Sequence, residues 1–478
     1  MIFRKWKNEV ITILVMISLC FVFTACETLD NIGDAISGIF NGNTESSDSK
    51  NSSTGGTKLA VKASSYRVPD NYNDAYSYRT DTVDKTIQTY IKNKSVDVLR
   101  NTNPDEYIKT VAAKINEIGE NDFERVKLAH DVICLLVSYD AKNFWANTVP
   151  DQSWQNVVKT KTAVCEGYAN LFQKFSSELK IKSQKVSGYA RGVGSDISRE
   201  NSFVANHAWN IICIADCWYL IDCTWDSGYM NGKSAVQAYS TDWLFLRPEH
   251  FIYTHLPSES KNQLIQPSLS NTEFAALPDF RPKLFELSGD AFASVKKINT
   301  ADDHYEIEYK LKEGYVFTYR ISSVGGTEIK NHIYTDKDSD KTITRMDFPN
   351  AGRYMVTVYY GKESARSSQS CGQFMVEASA GNDVQYPTIY PIASKGTRLV
   401  MPKQSPLKTG ENVSFEVFCE DRPFVAVIIG RNFIQLENDG TGNFSGQVEI
   451  PGNTKQISIG VSKSERGSYE TLAVFTVR

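Results

Sequence analysis

The chain has 478 residues, 41% of them hydrophobic, with a formal charge of −4 at pH 7. That length accommodates about three domains, each able to bury its own core. The charge balance leaves no basic excess to neutralise phosphates, which excludes nucleic acid as a partner.

Arg4, Lys5 and Lys7 precede the apolar run Val10 to Phe23, which ends in Thr24-Ala25-Cys26. This order predicts a secretory signal in residues 1–26, with Cys26 as the lipidated N-terminus of a mature lipoprotein. Left uncleaved, Val10 to Cys26 would sit at the lower limit of about 17 residues for a membrane span. Either route places the remainder outside the cytoplasm and anchored to a membrane, because basic residues before an apolar run stay inside. Residues 27–62, rich in Ser, Gly, Asn, Asp and Thr, lack the apolar surface to fold and read as a tether.

Helical periodicity follows over Val83 to Leu99, Pro104 to Ile118 and Phe123 to Tyr139. The third helix carries His130, read as a core or surface histidine, and Cys134 in an apolar segment. A fourth helix is predicted to open at Cys165, since Tyr168, Leu171, Phe172, Phe175 and Leu179 recur at helical spacing after it. A cysteine in a first turn lies near unpaired N–H groups and the positive end of the dipole, where a thiolate is favoured.

Asn206 to Ile214 and Cys217 to Trp225 are rich in β-branched and aromatic residues around a two-residue break, Ala215-Asp216. They predict a hairpin. That turn faces Trp209 with Asp222 and His207 with Thr224, leaving His207 and Asp222 as diagonal neighbours on one face, roughly 7 to 8 Å apart at Cα. Cys165, His207 and Asp222 would then supply a thiol nucleophile, an imidazole base and a carboxylate that orients it. With Cys223 on the second strand, Cys217 and Cys223 lie about 20 Å apart, which argues against both a disulfide and a zinc site. Cys371 and Cys419 belong to different C-terminal modules. No metal and no cofactor are expected.

The runs Ala163 to Ala169, His207 to Asn210 and Trp218 to Trp225 resemble the three signature segments of the transglutaminase-like superfamily, a papain-type fold. Phe245 to Ile252 followed by His255-Leu256-Pro257 resembles its kyphoscoliosis peptidase branch, with Asn262-Gln263-Leu264 where that branch usually carries Trp-Gln-Leu. The resemblance implies Cys165 as nucleophile, His207 as base and Asp222 as its orienter, acting on a protein or peptide substrate through an acyl-enzyme. For the oxyanion, the Cys165 backbone N–H and the side chains of Gln152, Trp154 and Asn156 are candidates. Trp209, Trp218 and Trp225 would wall the cleft, or simply fill the sheet core.

Beyond Pro267 the period changes to two: Tyr305 to Tyr309, Tyr315 to Tyr319 and Tyr354 to Tyr359 alternate as half-buried strands. The pattern recurs in Val413 to Phe418, Ala426 to Ile429, Gln447 to Ile450, Gln456 to Val461 and Leu472 to Val477. The expected architecture is an α+β transglutaminase-like core at 63–270, then two all-β immunoglobulin-like sandwiches at 271–380 and 381–478. The sandwiches could engage a cell-surface or extracellular protein. The expected activity is that of a surface-anchored cysteine peptidase. A cross-linking transglutaminase and a non-catalytic scaffold or adhesin are the alternatives.

Overall fold

Asn103 and Asn121 each fold a side chain back onto a backbone amide, of Glu106 and Glu124, and each starts a helix. These are α1 (Pro104–Ile118) and α2 (Asp122–Leu136). The computed structural model describes residues 66–478 apart from 193, 338–340, 364–366 and 391–395. The expected signal sequence, tether and Cys26 therefore lie outside the described residues. The helix expected over Val83 to Leu99 is three short ones, Lys85–Ile91, Lys94–Asp97 and Leu99–Thr102. Asn93 adopts an extended backbone and caps a new start with its side chain on Ser95 N, which interrupts the periodic run. Helix α2 stops at Leu136, short of Tyr139, because β1 (Ser138–Tyr139) leaves to pair in parallel with β2 (Thr162–Ala163).

The α3 helix (Trp154–Thr160) feeds β2, and β2 leads into α4 (Cys165–Glu178). Helix α4 buries Tyr168, Leu171, Phe172 and Phe175 in one core with α1 and α2. At about 25 cal/mol per Å² of apolar surface, each such ring contributes several kcal/mol toward docking the helix. Next come β3 (Ser183–Ala190), β4 (His207–Ile214), β5 (Cys217–Ile221), the short α5 (Cys223–Asp226), β6 (Leu244–Leu246) and β7 (His255–Pro257). The five strands form an antiparallel sheet in the order β6-β5-β4-β3-β7.

In the β4–β5 hairpin, Ala215 and Asp216 both have positive φ (49° and 62°), as a type I′ turn requires. The observed pairs run from Ile214↔Cys217 to Asn210↔Ile221, the register that the two-residue turn predicts. The second strand, expected to continue through Trp225, ends at Ile221. There Asp222 becomes an N-cap: its Oδ1 accepts hydrogen bonds from Thr224 N (2.8 Å) and Trp225 N (3.2 Å). Cys223 consequently lies on α5 rather than on a strand.

The chain divides into two compact units. The first runs through Ser195 and takes in Ser202–Pro248 and His255–Leu269; the second comprises Asp196–Asn201, Glu249–Thr254 and Ser270–Arg478. Two short stretches inside the expected 63–270 domain thus group with the second unit, and both expected β modules fall within it. Each module nevertheless keeps its own core between two sheets. In the first, Ile307, Tyr309 and Met346 of a three-stranded sheet meet Phe317, Val356, Val358 and Phe374 of a six-stranded one. In the second, Phe415, Val417 and Phe444 of a four-stranded sheet meet Val425, Ile457, Ile459 and Phe475 of a five-stranded one. The Tyr354 hydroxyl donates to Asn350 O (2.7 Å), the corner bond found in Greek-key sandwiches. Cys371 and Cys419 are free and buried, one in each module's core.

Candidate active site

Cys165 is the first residue of α4, so its N–H is one of those a helix leaves without an internal partner. Three contacts fix this helix start. Gln152 Oε1 accepts from Val164 N at 2.9 Å, the Lys185 ammonium pairs with Glu166, and Asn210 Nδ2 donates to Ala169 O at 3.2 Å. Only glycine fits at 167, because a Cβ there would stand 2.6 Å from Gln152 Oε1 and 2.7 Å from the Ala163 methyl. Around the sulfur, Ala169 and Ala208 are small enough for α4 to lie close on β4.

His207 opens β4 opposite Gly188 of β3. A side chain at 188 would collide with the Trp209 ring at 2.6 Å and Leu256 O at 2.3 Å. His207 Nε2 lies 2.7 Å from Asp222 Oδ2, which leaves Nδ1 as the ring nitrogen available to the Cys165 thiol. Burial alone would push the His207 pKa down. The charges of Asp222 and Cys165, with hydrogen bonds to both, outweigh it and lift the imidazole to about 10. For Asp222, burial pushes upward, but the His207 charge and the hydrogen bonds from His207 and His255 overcome it and hold the carboxyl well below its usual range.

The expectation that His207 and Asp222 share a site is met by a different route from the one drawn. Asp222 reaches the imidazole from a helix cap rather than from a strand face. A second imidazole joins it: His255 of β7, fully buried, places Nε2 3.2 Å from the same Asp222 Oδ2. Sequence reasoning gave His255 no role, since the pairing of β7 with β3 (Ala190↔His255) is a long-range contact with no local signal. His207, Asp222 and His255 have metal-ligand atoms within 4.8 Å of one another, and both Nε2 atoms approach Asp222 Oδ2.

The aromatic wall also differs from expectation. Trp209 lies 6.0 Å from the His207 ring and 5.0 Å from the His255 ring, and Trp225 is 5.5 Å and 4.4 Å from the same two. Trp243, not singled out from sequence, packs on His255 at 5.1 Å and on Trp225 at 4.6 Å. Trp218 instead meets Tyr66, with Lys182 over its face. Among the oxyanion candidates, Gln152 also donates Nε2 to Pro150 O (2.9 Å) and so clamps the approach to Cys165. Trp154 stacks under Lys174, and Asn156 Nδ2 donates to Asp151 O. The backbone N–H of Cys165 remains the donor that the local geometry best supports.

A thiol at a helix start, facing a sheet-borne imidazole backed by a carboxylate, is the arrangement of papain-type thiol chemistry. Residues 109–223 match the family model of the transglutaminase-like superfamily, and the chain carries a transglutaminase-like domain there. The chain is 27% identical over 214 residues to the kyphoscoliosis peptidase of Homo sapiens, a match covering 42% of this chain and 31% of that protein. It is 28% identical over 137 residues to cytokinesis protein 3 of Schizosaccharomyces pombe, covering 28% and 15%. The matched region thus spans less than a third of these relatives' length. A crystal structure of a TGase aligns at 18% identity over 32% of this chain and 38% of that one, with a TM-score of 0.20 that carries no weight.

The two shifts set a pH dependence. His207, raised from 6.5 to about 10, contributes stability that is complete below pH 6.5 and lost as pH rises through about 10. Asp222, lowered from 3.8, contributes stability present above pH 3.8 and lost as pH falls through its folded value. The thermal stability of the wild type is expected to fall between pH 6.5 and 10, with a smaller slope in Asp222→Asn. Equal slopes in the two proteins would contradict the pairing.

Proposed function

We propose that the first unit is a cysteine hydrolase that cleaves protein or peptide amide bonds through an acyl-enzyme on Cys165. The observation carrying this reading is the buried His207 imidazole, held between Asp222 Oδ2 at 2.7 Å and the sulfur of a helix-opening cysteine. With its proton on the imidazole, the sulfur attacks the amide carbonyl. The C–S bond forms as the carbonyl π bond opens, and the Cys165 N–H faces the oxyanion. Collapse breaks the C–N bond, and the His207 proton goes to the leaving amine. Water then adds to the thioester with His207 taking its proton, and expulsion of the sulfur restores the starting pair. Hydrolysis, rather than transfer to a lysine amine, follows the name of the peptidase relative. We also propose export and membrane attachment through Cys26, on the strength of the basic residues, apolar run and Ala25 that precede it.

Brief treatment with an iodoacetamide probe at neutral pH should alkylate Cys165 ahead of Cys134, Cys371 and Cys419, read by peptide mapping. His207→Ala should abolish acyl-enzyme formation. Asp222→Asn should cut the single-turnover rate by about 10²- to 10⁴-fold while the protein stays folded. Products carrying an isopeptide cross-link instead of a new carboxylate would turn the reading to transglutamination, and an unlabelled Cys165 in folded protein would end it.

His255 is a positioning residue that acts through Asp222. Loss of a hydrogen bond to a charged group costs about 1.5 kcal/mol, so His255→Phe should lower kcat about tenfold with KM unchanged. A purely structural role would lower the active fraction, measured by active-site titration, and leave kcat per titrated site intact.

Cys26→Ser should block fatty-acid labelling and leave an unprocessed precursor, seen by mass. A wild type that keeps its first 25 residues and carries no lipid would replace the lipid anchor with a signal anchor.

A further inference from the structure

Helix α2 is buried on more than its apolar face. Lys127, His130 and Asp131 are all sequestered along with Val126, Val132 and Cys134. His130 and Cys134, one turn apart, face Cys223 and Asp226 of α5, also about one turn apart. His130 Nε2 lies 3.0 Å from Asp226 Oδ2 and 3.5 Å from Cys134 Sγ, and Cys134 Sγ lies 3.5 Å from Cys223 O. The ligand-type atoms of His130, Cys134 and Cys223 all fall within 4.8 Å of one another. All four residues are at most 3% exposed.

We propose that His130, Cys134 and Cys223 form a structural zinc site, with Asp226 beside it, that ties α2 to the α5 turn immediately after Asp222. The donors are two sulfurs and one imidazole, ligand types zinc takes in structural sites. Bonds of about 2.3 Å to sulfur and about 2.0 Å to nitrogen give a tetrahedral edge of about 3.5 Å from S to N. The observed Cys134–His130 edge is 3.5 Å. A metal-ligating histidine normally turns its second nitrogen toward a carboxylate. His130 Nδ1 faces Asp131 Oδ1 at 3.6 Å, and Asp131 is fixed by Lys127 Nζ (2.6 Å), the Tyr239 hydroxyl (2.6 Å) and Asp84 N (2.9 Å). Asp226, beside the site, accepts from the Ser240 hydroxyl (2.5 Å) at Oδ1 and from Trp243 N at both oxygens (3.1 and 3.2 Å). Loading displaces the two thiol protons to solvent and leaves His130 neutral, with its proton on Nδ1. The three ligands come from α2 and α5, and none of them is placed in the Cys165 chemistry. The opposing account, two inert core thiols beside a His130–Asp226 pair, requires no metal.

The test uses the full chain expressed with added zinc and purified reduced, so its outcome does not depend on any peptidase activity. Elemental analysis should find one zinc per chain. Refolding with cobalt(II) should give thiolate-to-cobalt charge-transfer and tetrahedral d–d bands. Cys134→Ser and Cys223→Ser should lose both signatures, whereas Cys213→Ser and Cys217→Ser should keep them. Should the ligand variants fail to fold, the wild-type metal content and cobalt spectrum decide alone. A folded wild type with no bound zinc and no cobalt bands would overturn the site, as would a Cys134–Cys223 disulfide seen as a loss of two hydrogens in intact mass.

Discussion

A carboxylate buried to 1% exposure cannot stay charged unless its lone pairs are matched, and Asp222 meets this condition on both oxygens. Oδ1 takes two backbone amides of α5, and Oδ2 takes two imidazoles. The four donors come from three parts of the unit: two from the start of α5, one from strand β4 and one from strand β7. Matching the charge therefore requires the β7-β3-β4-β5 order to have formed, so the pairing of His207 depends on the whole sheet rather than on the hairpin alone. The contribution of the pair is cooperative, since removing any one donor leaves an uncompensated buried charge.

That carboxylate is useful only if the sulfur lies on the other side of the imidazole, which is a matter of how closely a helix can approach a sheet. Ala169 on α4 and Ala208 on β4 supply the short side chains at the contact, while Gly167 lets α4 close on Gln152 and Ala163 and Gly188 leaves room for the Trp209 ring. The large residues stand one step away. Phe172 and Phe175 anchor the helix in the core, while Trp209, Trp225 and Trp243 pack about the imidazoles. Small residues set the distance, and large ones exclude the water that would weaken the charge pairing.

Much of this was legible because it is local. Helix α1 carries a Pro start and an Asn cap, and it spans the residues its periodicity predicts. The β4–β5 register follows from one two-residue turn. Local signals also account for the errors. Asn93 divides a periodic helix because a cap bond at its side chain outweighs weak propensity, and Tyr139 leaves α2 for a two-residue parallel bridge that no short-range pattern encodes. His255 and Trp243 were not legible as site residues because strand order brings them in from outside the hairpin, and strand order is set by packing rather than by adjacency.

The turn at Asp222 shows how one residue can satisfy a local and a distant demand together. An aspartate after a run of β-formers can continue the strand or cap a helix. Here two cap bonds from Thr224 and Trp225, neither available to a continuing strand, decide for the cap. The same turn swings Cys223 off the sheet and toward Cys134. It also directs Oδ2 away from the capping amides and toward the histidines. Capping uses the oxygen that asparagine would retain, whereas orientation of His207 uses the charge that asparagine would lack. The structural and chemical contributions of Asp222 are thus divided between its two oxygens, and a change of charge can affect one without the other.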